Sequence, residues 1–299
     1  MPEKKKKKQT STQAQRISKV KHDRKHILSE KSGFYLQEAY RALRTNMNFA
    51  LADTEGCKVA MVTSALQSEG KSLTALNLAI ALGQTDQKVL LIDCDLRRPR
   101  LARLMNINAP AGLSNLLIDF SLLDVSIVNS AEHGIDMILA GDIPPNPAEL
   151  LSSGRMQKLL SMLKEQYDYV IIDSPPVDLV ADAVALSSLC DGVLFVVRAN
   201  QSERGAVIHG MEQLEYAGAN VIGFVFNGVT SDTASGYGKY RYRKYARIGN
   251  YSKYYRYGYR YGGYGYGGYG YGYTPYSYQN QPVDASREST PPERPLERS

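Results

Sequence analysis

Short apolar runs alternate with amphipathic segments along the chain from residue 34 to residue 227. The runs have the length of buried strands, and the segments between them repeat their apolar positions at helical spacing. This alternation predicts an α/β fold in which a mostly parallel, twisted sheet carries helices on both faces. The predicted strands are 58–63, 88–93, 136–139, 167–173, 192–197 and 221–226, and the predicted helices are 34–50, 73–82, 100–105, 113–117, 147–151, 180–189 and 204–217.

Composition divides the 299-residue chain into three regions. Residues 1–31 hold 11 Lys and Arg against 3 Asp and Glu, and residues 230–299 hold 11 against 5. These ends carry +8 and +6, and since the whole chain carries +6, residues 32–229 carry −8. We therefore expect a disordered basic arm (1–31), a folded acidic middle (32–229) and a disordered tail (230–299). No specific nucleic-acid partner is expected, because a nucleic-acid-binding domain would carry its positive patch on the folded part.

Cysteine content and hydropathy bear on the cell compartment. The three cysteines form no C-x-x-C pair, which fits a reducing intracellular setting without zinc or disulfides. No apolar run approaches the roughly 20 residues that cross a bilayer. We expect a cytoplasmic protein that is recruited to the inner face of the plasma membrane by a partner or by its basic ends. The Lys4–Lys8 run either favours anionic lipid headgroups weakly or only keeps the arm soluble.

A candidate phosphate-binding loop joins the strand 58–63 to the helix 73–82. Its spacing, Ala65-x4-Gly70-Lys71-Ser72, fits the phosphate-loop pattern with Ala in place of the first glycine. In such loops backbone N–H groups and a helix N-terminus surround phosphate oxygens, and the lysine reaches the terminal phosphates. A Ser/Gly-rich turn that contains Gly-Lys-Ser by accident is the alternative. The candidate nucleotide-binding residues here are Glu69, Gly70, Lys71, Ser72 and Leu73.

Acidic residues stand at the ends of two further predicted strands. Asp93 and Asp95 follow one apolar run, and Asp173 follows another. Because the carboxyl ends of parallel strands meet at one edge of the sheet, we expect these carboxylates beside the phosphate loop. Asp173 stands where a Walker-B carboxylate would order Mg²⁺. Asp93 and Asp95 could instead cap the following helix.

Two more polar residues end strands at the same edge. Arg198 follows the strand 192–197, and Asn227 follows the strand 221–226. Both are candidate nucleotide-binding residues, and Asn227 could read a purine base through its amide. Asn-Gly is also a common turn sequence, so Asn227 could serve the turn alone.

A charged stripe marks the helix 34–50. Glu38, Arg41 and Arg44 are spaced i, i+3 and i+6, which places them on adjoining parts of one helical face. Such a stripe is either a solvated surface or a charge-paired contact between subunits.

The tail has a composition of its own. Seventeen of the 22 tyrosines lie between Tyr237 and Tyr278, interleaved first with Arg and Lys and then with Gly. No periodic apolar face accompanies them, which predicts a low-complexity, disordered segment.

Together these motifs resemble the bacterial tyrosine kinases (BY-kinases) that act in capsule and exopolysaccharide assembly. Thr63–Ser72 is similar to their Walker A motif, Leu90–Arg97 to Walker A′, Val170–Pro176 to Walker B, and Tyr237–Tyr278 to their terminal tyrosine cluster. The phosphate loop departs from the family pattern, since Gln67-Ser68 replaces the common Pro-Gly.

The resemblance implies a P-loop NTPase of the SIMIBI (MinD-like) type that uses ATP and Mg²⁺ to phosphorylate its own tail in trans. Lys71, Asp93 and Asp95 would be catalytic, with Asp95 favoured as the base and the roles of the two aspartates exchangeable. Ser72, Asp93 and Asp173 would order the metal. The implied phosphoacceptors are Tyr237, Tyr240, Tyr242, Tyr245, Tyr251, Tyr254, Tyr255, Tyr257, Tyr259, Tyr261, Tyr264, Tyr266, Tyr269, Tyr271, Tyr273, Tyr276 and Tyr278.

The resemblance also implies partners. Glu38, Arg41 and Arg44 match the motif through which family members form homo-oligomeric rings. A separate transmembrane adaptor of the polysaccharide chain-length type would switch the kinase on, and a tyrosine phosphatase would reverse the reaction.

Two other functions fit parts of the sequence. A partitioning or division-site ATPase would share the sheet, but such proteins carry a second lysine where this chain has Leu66, and they lack a tyrosine tail. A tail that stacks on single-stranded nucleic acid or forms condensates is the other alternative. Protein incubated with Mg·ATP alone discriminates, because only a kinase labels its own tail.

Overall fold

The computed structural model describes residues 22–178 and 180–229. In these residues the strands are β1 (Lys58–Ser64), β2 (Val89–Asp93), β3 (Ile127–Ser130), β4 (Ile135–Ile138), β5 (Tyr169–Asp173), β6 (Gly192–Arg198) and β7 (Val221–Asn227). They form one seven-stranded sheet in the order β3-β4-β2-β5-β1-β6-β7. Neighbouring strands are parallel except for the β3–β4 hairpin. The predicted α/β fold with a mostly parallel sheet is confirmed.

The helices occupy most of the predicted segments. They are α1 (Phe34–Ala50), α2 (Lys71–Gly83), α3 (Leu101–Met105), α4 (Leu113–Leu116), α5 (Leu123–Ser126), α6 (Pro147–Leu151), α7 (Gly154–Lys164), α8 (Asp182–Ser187) and α9 (Arg204–Tyr216). A short 3₁₀ turn, Phe120–Leu122, precedes α5. The bounds of α1 are those predicted from the sequence.

The strands β2 and β5 are apolar up to the aspartates that end them, because helices cover both faces of the sheet. Every residue of β2 and β5 is buried. Leu90 and Ile92 of β2 belong to the core cluster on one face, while Leu91 belongs to the cluster on the other face. Successive side chains of a strand point to opposite faces. A strand that is covered on both faces is therefore a continuous apolar run, without the alternation of apolar and polar residues seen in a half-exposed strand.

The predictions did not include β3, α5, α7 or the 3₁₀ turn Phe120–Leu122. The strand β3 lies at the edge of the sheet, and its residues are mostly half-buried or exposed, so it lacks the apolar run of a central strand. The helix α7 buries Met156, Leu159, Leu160 and Leu163. This i, i+3, i+4, i+7 spacing is that of an amphipathic helix, so the sequence did contain the signal.

Part of the predicted N-terminal arm is packed onto the sheet's helical layer. Leu28 is 1% exposed. Its N–H donates to Asn77 Oδ1 over 2.8 Å, and Asn77 Nδ2 donates to the His26 carbonyl over 2.9 Å. The packed body therefore begins before the predicted boundary at residue 32, because one buried leucine and two hydrogen bonds hold an otherwise basic segment. The predicted arm before residue 22 and the predicted tail from residue 230 lie outside the described residues.

No helix within residues 22–178 and 180–229 combines the length and the apolar character that crossing a membrane requires.

Candidate functional site

The phosphate loop connects β1 to α2 and requires glycine at position 70. Gly70 has φ +101, in the left-handed region that other residues rarely adopt. A Cβ at this position would also lie 1.9 Å from Asn227 Nδ2. Ser68 adopts a positive φ of 68 without being glycine. The loop is therefore tightly curled immediately before the first residue of α2, Lys71.

Side chains that follow distant strands brace this loop. Glu69 is fully buried, and its Oε2 accepts the Leu66 N–H over 2.7 Å while its Oε1 bonds with the Ser202 hydroxyl. Asn227 Nδ2 donates to the Glu69 carbonyl over 2.8 Å, and Arg198 Nη1 donates to the Ser68 carbonyl over 3.1 Å. The structure thus brings Arg198 and Asn227 to the loop as predicted from their strand ends, and it adds Ser202, for which the sequence held no signal.

Lys71 joins the phosphate loop to two of the strand-end carboxylates. Its Nζ lies 2.9 Å from Asp95 Oδ2 and 3.4 Å from Asp173 Oδ1. The three side chains are at most 8% exposed. The carboxyl ends of β1, β2 and β5 therefore meet around the buried ammonium group of Lys71.

Asp93 is turned towards its own loop. Its Oδ1 accepts the Asp95 N–H and its Oδ2 accepts the Leu101 N–H, each over 3.2 Å. The Leu101 contact is at the first residue of α3, so Asp93 satisfies a backbone donor there, as the helix-capping alternative expected. Asp95 Oδ1 accepts the Arg98 N–H over 3.0 Å, while its other oxygen contacts Lys71. Of the two aspartates, Asp95 is the one that lines the cleft described below.

The carboxylates are strongly affected by burial. Burial, followed by the negative charge of Asp173, raises the pKa of Asp93 to about 8. Burial also raises the pKa of Asp173. For Lys71 burial acts against the charged form, but the charges of Asp173 and Asp95 outweigh it, and the pKa of Lys71 is raised. The cluster holds three carboxyl groups against one ammonium, which favours the uptake of a further cation.

One oxygen of Asp173 is available for that cation. Asp173 Oδ2 is buried and has no hydrogen-bond partner within the described part of the chain. Ser72 lies near this carboxyl group, and its side chain favours the charged form of Asp173, which partly opposes the effect of burial on the pKa. Residues 22–178 and 180–229 contain no group of three or more His, Cys, Asp or Glu arranged to hold a metal by themselves. Mg²⁺ is commonly held by one or two carboxylates together with water and substrate phosphates, so Ser72 and Asp173 fit this ion.

A cleft of about 220 Å³ opens beside Lys71. Arg97 at its rim donates to both oxygens of Asp182, over 2.7 and 3.0 Å. Asp182 is fully buried, and nothing in the sequence marked it as a partner of the Walker A′ arginine. The cleft is lined by Gln67, Ser68, Gly70, Lys71, Ser72, Asp95, Arg97, Arg98, Arg100, Pro175, Pro176 and Val180.

The charged stripe of α1 does not line this cleft, and its two arginines have different kinds of partner. Arg41 pairs with Glu38 on the exposed face of the helix. Arg44 instead donates to the Ala81 carbonyl near the end of α2. Glu38 and Arg41 are therefore the more accessible members of the predicted contact surface.

The chain is similar in sequence to known proteins. A family model described as an AAA domain matches residues 57–217. The tyrosine-protein kinase YwqD of Bacillus subtilis (strain 168) is 39% identical over 203 residues, covering 68% of this chain and 85% of that protein. The tyrosine-protein kinase etk of Escherichia coli (strain K12) is 38% identical over 200 residues, covering 67% of this chain but 27% of that longer protein.

Solved structures agree with the sequence matches. The kinase domain of the Escherichia coli tyrosine kinase ETK superposes with a TM-score of 0.64 at 38% identity, covering 68% of this chain and 79% of that one. The septum site-determining protein MinD from Pyrococcus horikoshii OT3 superposes with a TM-score of 0.51 at 20% identity, covering 59% of this chain and 73% of that one. The second likeness concerns the fold alone and agrees with the predicted MinD-like P-loop architecture.

Proposed function

The chain belongs to the family of bacterial tyrosine-protein kinases, and from that membership we propose that it transfers the γ-phosphate of ATP to tyrosines of its own tail. The acceptors would be the cluster Tyr237–Tyr278, which lies outside the described residues. The observation that carries the proposal is the contact of Lys71 with both Asp95 and Asp173 beside the phosphate loop. This contact supports the proposal because it gathers at one cleft the groups that would bind phosphate, order the metal and accept the proton.

The phosphate loop would hold the nucleotide. The backbone N–H groups of residues 69–73, which lead into the start of α2, would surround the β- and γ-phosphates. Lys71 would be the mobile cation. Lys71 would exchange its carboxylate partners for phosphate oxygens. Ser72 and Asp173 would hold Mg²⁺, which supplies positive charge to the phosphates. Asp93 would hold the loop that carries Asp95 through its hydrogen bonds to the backbone. Arg198 and Asn227 would lie towards the base of the nucleotide.

Asp95 would act on the acceptor. A tyrosine phenol has a pKa near 10 and is almost wholly protonated at neutral pH. A carboxylate must therefore orient the hydroxyl or accept its proton as the phosphoryl group is transferred. Asp95 is suited to this because it lines the cleft and would lose its contact with Lys71 when Lys71 turns to the phosphates.

The acceptor would come from a neighbouring subunit. A tail with 17 tyrosines keeps the local concentration of acceptors high without a selective pocket. Glu38, Arg41 and Arg44 of α1 would join subunits into a ring. We propose a role in regulating exopolysaccharide synthesis and export, with a transmembrane adaptor of the chain-length type as activator, recruitment to the inner face of the membrane, and a tyrosine phosphatase as antagonist.

Replacement of Lys71 tests the proposal. We expect the full chain incubated with Mg·ATP to become phosphorylated on tail tyrosines, and Lys71→Met to lose this by at least a hundredfold, about 2.7 kcal/mol of transition-state stabilisation. Anti-phosphotyrosine blotting with mass spectrometry of the tail gives the readout. Tail labelling retained by the Lys71→Met variant would contradict the assignment.

The control must separate catalysis from folding. Loss of Lys71 leaves buried Asp95 and Asp173 without their cation, which costs stability. Lys71→Arg keeps the charge but replaces the compact ammonium with a planar guanidinium. We expect the Arg variant to fold, as measured by circular dichroism, and to remain inactive.

A further inference from the structure

The cleft beside Lys71 carries more positive charge than the nucleotide site alone explains. Three arginines, Arg97, Arg98 and Arg100, line it in addition to Lys71. Arg97 is neutralised by its two hydrogen bonds to Asp182. Arg98 and Arg100 are not neutralised in this way.

Their observed contacts are to neutral groups of the phosphate loop. Arg98 Nη1 donates to Gln67 Oε1, and Arg100 Nη2 lies 3.4 Å from the Ser68 hydroxyl. Among residues 22–178 and 180–229, no carboxylate forms an ion pair with either guanidinium. Two guanidinium groups that line a cleft and have neutral partners only are suited to bind a phosphate, because they match its oxygens in pairs.

The position of these arginines separates them from the base end of the nucleotide. In the sheet, β1 and its phosphate loop lie between β5 on one side and β6 on the other. Arg198 and Asn227 end β6 and β7, whereas Arg98 and Arg100 follow β2, beyond β5. A nucleotide oriented as proposed above would point its γ-phosphate towards β2 and β5. The two arginines therefore lie on the side from which the acceptor enters.

The tail itself does not complement this charge before it is modified. Between Tyr237 and Tyr278 the sequence has eight Lys and Arg and no Asp or Glu. An unmodified tail would be repelled by Arg98 and Arg100, whereas a phosphate placed on a tail tyrosine would be attracted. The cleft also offers an apolar wall for an aromatic ring, formed by Pro175, Pro176 and Val180.

We propose that Arg98 and Arg100 form a phosphotyrosine-binding subsite that holds an already modified tail tyrosine while a neighbouring tyrosine lies at Asp95. The inference rests on the proposed function, since it takes the tail as the substrate. It adds an order to the reaction: the first phosphate on a tail is transferred slowly, and each phosphate then helps to position the next acceptor. Clustering of many tyrosines within a few residues of one another is what such a sequence of events requires.

Synthetic tail peptides provide the test. Three peptides span residues 251–260. Each keeps Tyr254 as the acceptor and carries phenylalanine at the other tyrosines. One of them has phosphotyrosine at position 257 instead, another has it at position 259, and the third has no phosphate. Binding to the dephosphorylated full chain is measured by fluorescence anisotropy with Mg·ADP, so that no transfer takes place. The variants are Arg98→Gln with Arg100→Gln, and the matched control Arg103→Gln, an exposed arginine of α3 outside the cleft.

We expect at least one phosphopeptide to bind tenfold or more tightly than the peptide without phosphate. This preference should disappear in the double variant and persist in the Arg103→Gln control. Equal binding of all three peptides, or a preference that survives in the double variant, would overturn the proposal. So would a double variant whose KM for ATP rises while its peptide preference is unchanged, because the arginines would then serve the nucleotide.

Phosphorylation of the same peptides tests the proposed function independently of the binding measurement. If Mg·ATP leaves Tyr254 unlabelled in every peptide, the proposed function fails, while the binding measurement with Mg·ADP still reports on the subsite. With transfer working, we expect Tyr254 to be phosphorylated faster in the primed peptide, by the same factor that the double variant abolishes.

Discussion

Lys71 lies among more negative charge than one ammonium can neutralise. It contacts Asp95 and Asp173, with Asp93 close behind, and all three carboxyl groups are buried. Buried carboxylates without full pairing cost free energy, so this cluster is a place where the fold gives up stability for chemistry. Asp173 shows this best because its Oδ2 has no partner within the described residues.

Replacing Asp173 with Asn should therefore stabilise the protein while inactivating it. In the absence of Mg²⁺ and nucleotide, we expect Asp173→Asn to raise the free energy of unfolding by about 1–2 kcal/mol at about pH 8, since one buried charge is removed. The folded state raises the pKa of Asp173 above its usual 3.8, so it holds the proton more tightly than the unfolded chain does. The stability linked to this proton is present at acidic pH and is lost as the pH rises.

The gap between variant and wild type should thus be smaller at about pH 5 than at about pH 8. Urea unfolding at both pH values measures it. Asp53→Asn, which changes an exposed carboxyl, serves as control and should stay within about 0.5 kcal/mol of wild type. A gap of the same size at both pH values would show that Asp173 is not the group under strain.

At the scale of single residues, the sequence identified the groups at strand ends but not their partners. Lys71, Asp95 and Asp173 could be predicted to meet because parallel strands share an edge. The pairing of Arg97 with Asp182 could not, since 85 residues separate them and Asp182 belongs to none of the motifs in the sequence. Arg98 and Arg100 were visible in the sequence beside Asp95, yet their lack of a carboxylate partner is a property of the fold alone.

Elements were predictable where one face or both faces are buried. The helix α1 has a clear helical periodicity and the central strands are continuous apolar runs, whereas the edge strand β3 is too exposed to show either signal. The packed segment around Leu28 was hidden for another reason. Its composition is that of a basic arm, and the feature that holds it is a side chain of another element, Asn77 of α2.

Asn77 should therefore control whether that segment stays attached. Asn77→Ala removes the acceptor of the Leu28 N–H and the donor to the His26 carbonyl. Because both groups lose a partner, we expect a loss of about 1–3 kcal/mol. Hydrogen exchange of the Leu28 amide should become faster, while amides of β1 and β5 remain protected. Thr45→Ala, at an exposed hydroxyl of α1, is the matched control and should leave the Leu28 amide as slow as in wild type.

At the scale of the whole molecule, charge is segregated along the chain. The middle region 32–229 carries −8 and the tail carries +6, so net charge attracts an unmodified tail to the body of a neighbouring subunit, although Arg98 and Arg100 repel it locally at the cleft. Each phosphotyrosine adds about −1.5 to −2 at neutral pH. About four phosphates would cancel the tail's positive charge, and further ones would make it repel the acidic body.

Phosphorylation should consequently loosen the assembly. We expect light scattering to give a larger mass for the dephosphorylated full chain than for the same protein after incubation with Mg·ATP. The Lys71→Met variant should keep its mass in Mg·ATP. The wild-type chain should keep its mass in Mg·ADP, which separates the effect of phosphate on the tail from that of nucleotide binding. Raising the ionic strength from about 0.05 M to about 0.5 M should shrink the difference, because exposed charges are screened over shorter distances. Equal masses with and without ATP at low salt, in protein whose tail is shown by mass spectrometry to be phosphorylated, would mean that contacts such as the Glu38 and Arg41 surface hold the oligomer regardless of tail charge.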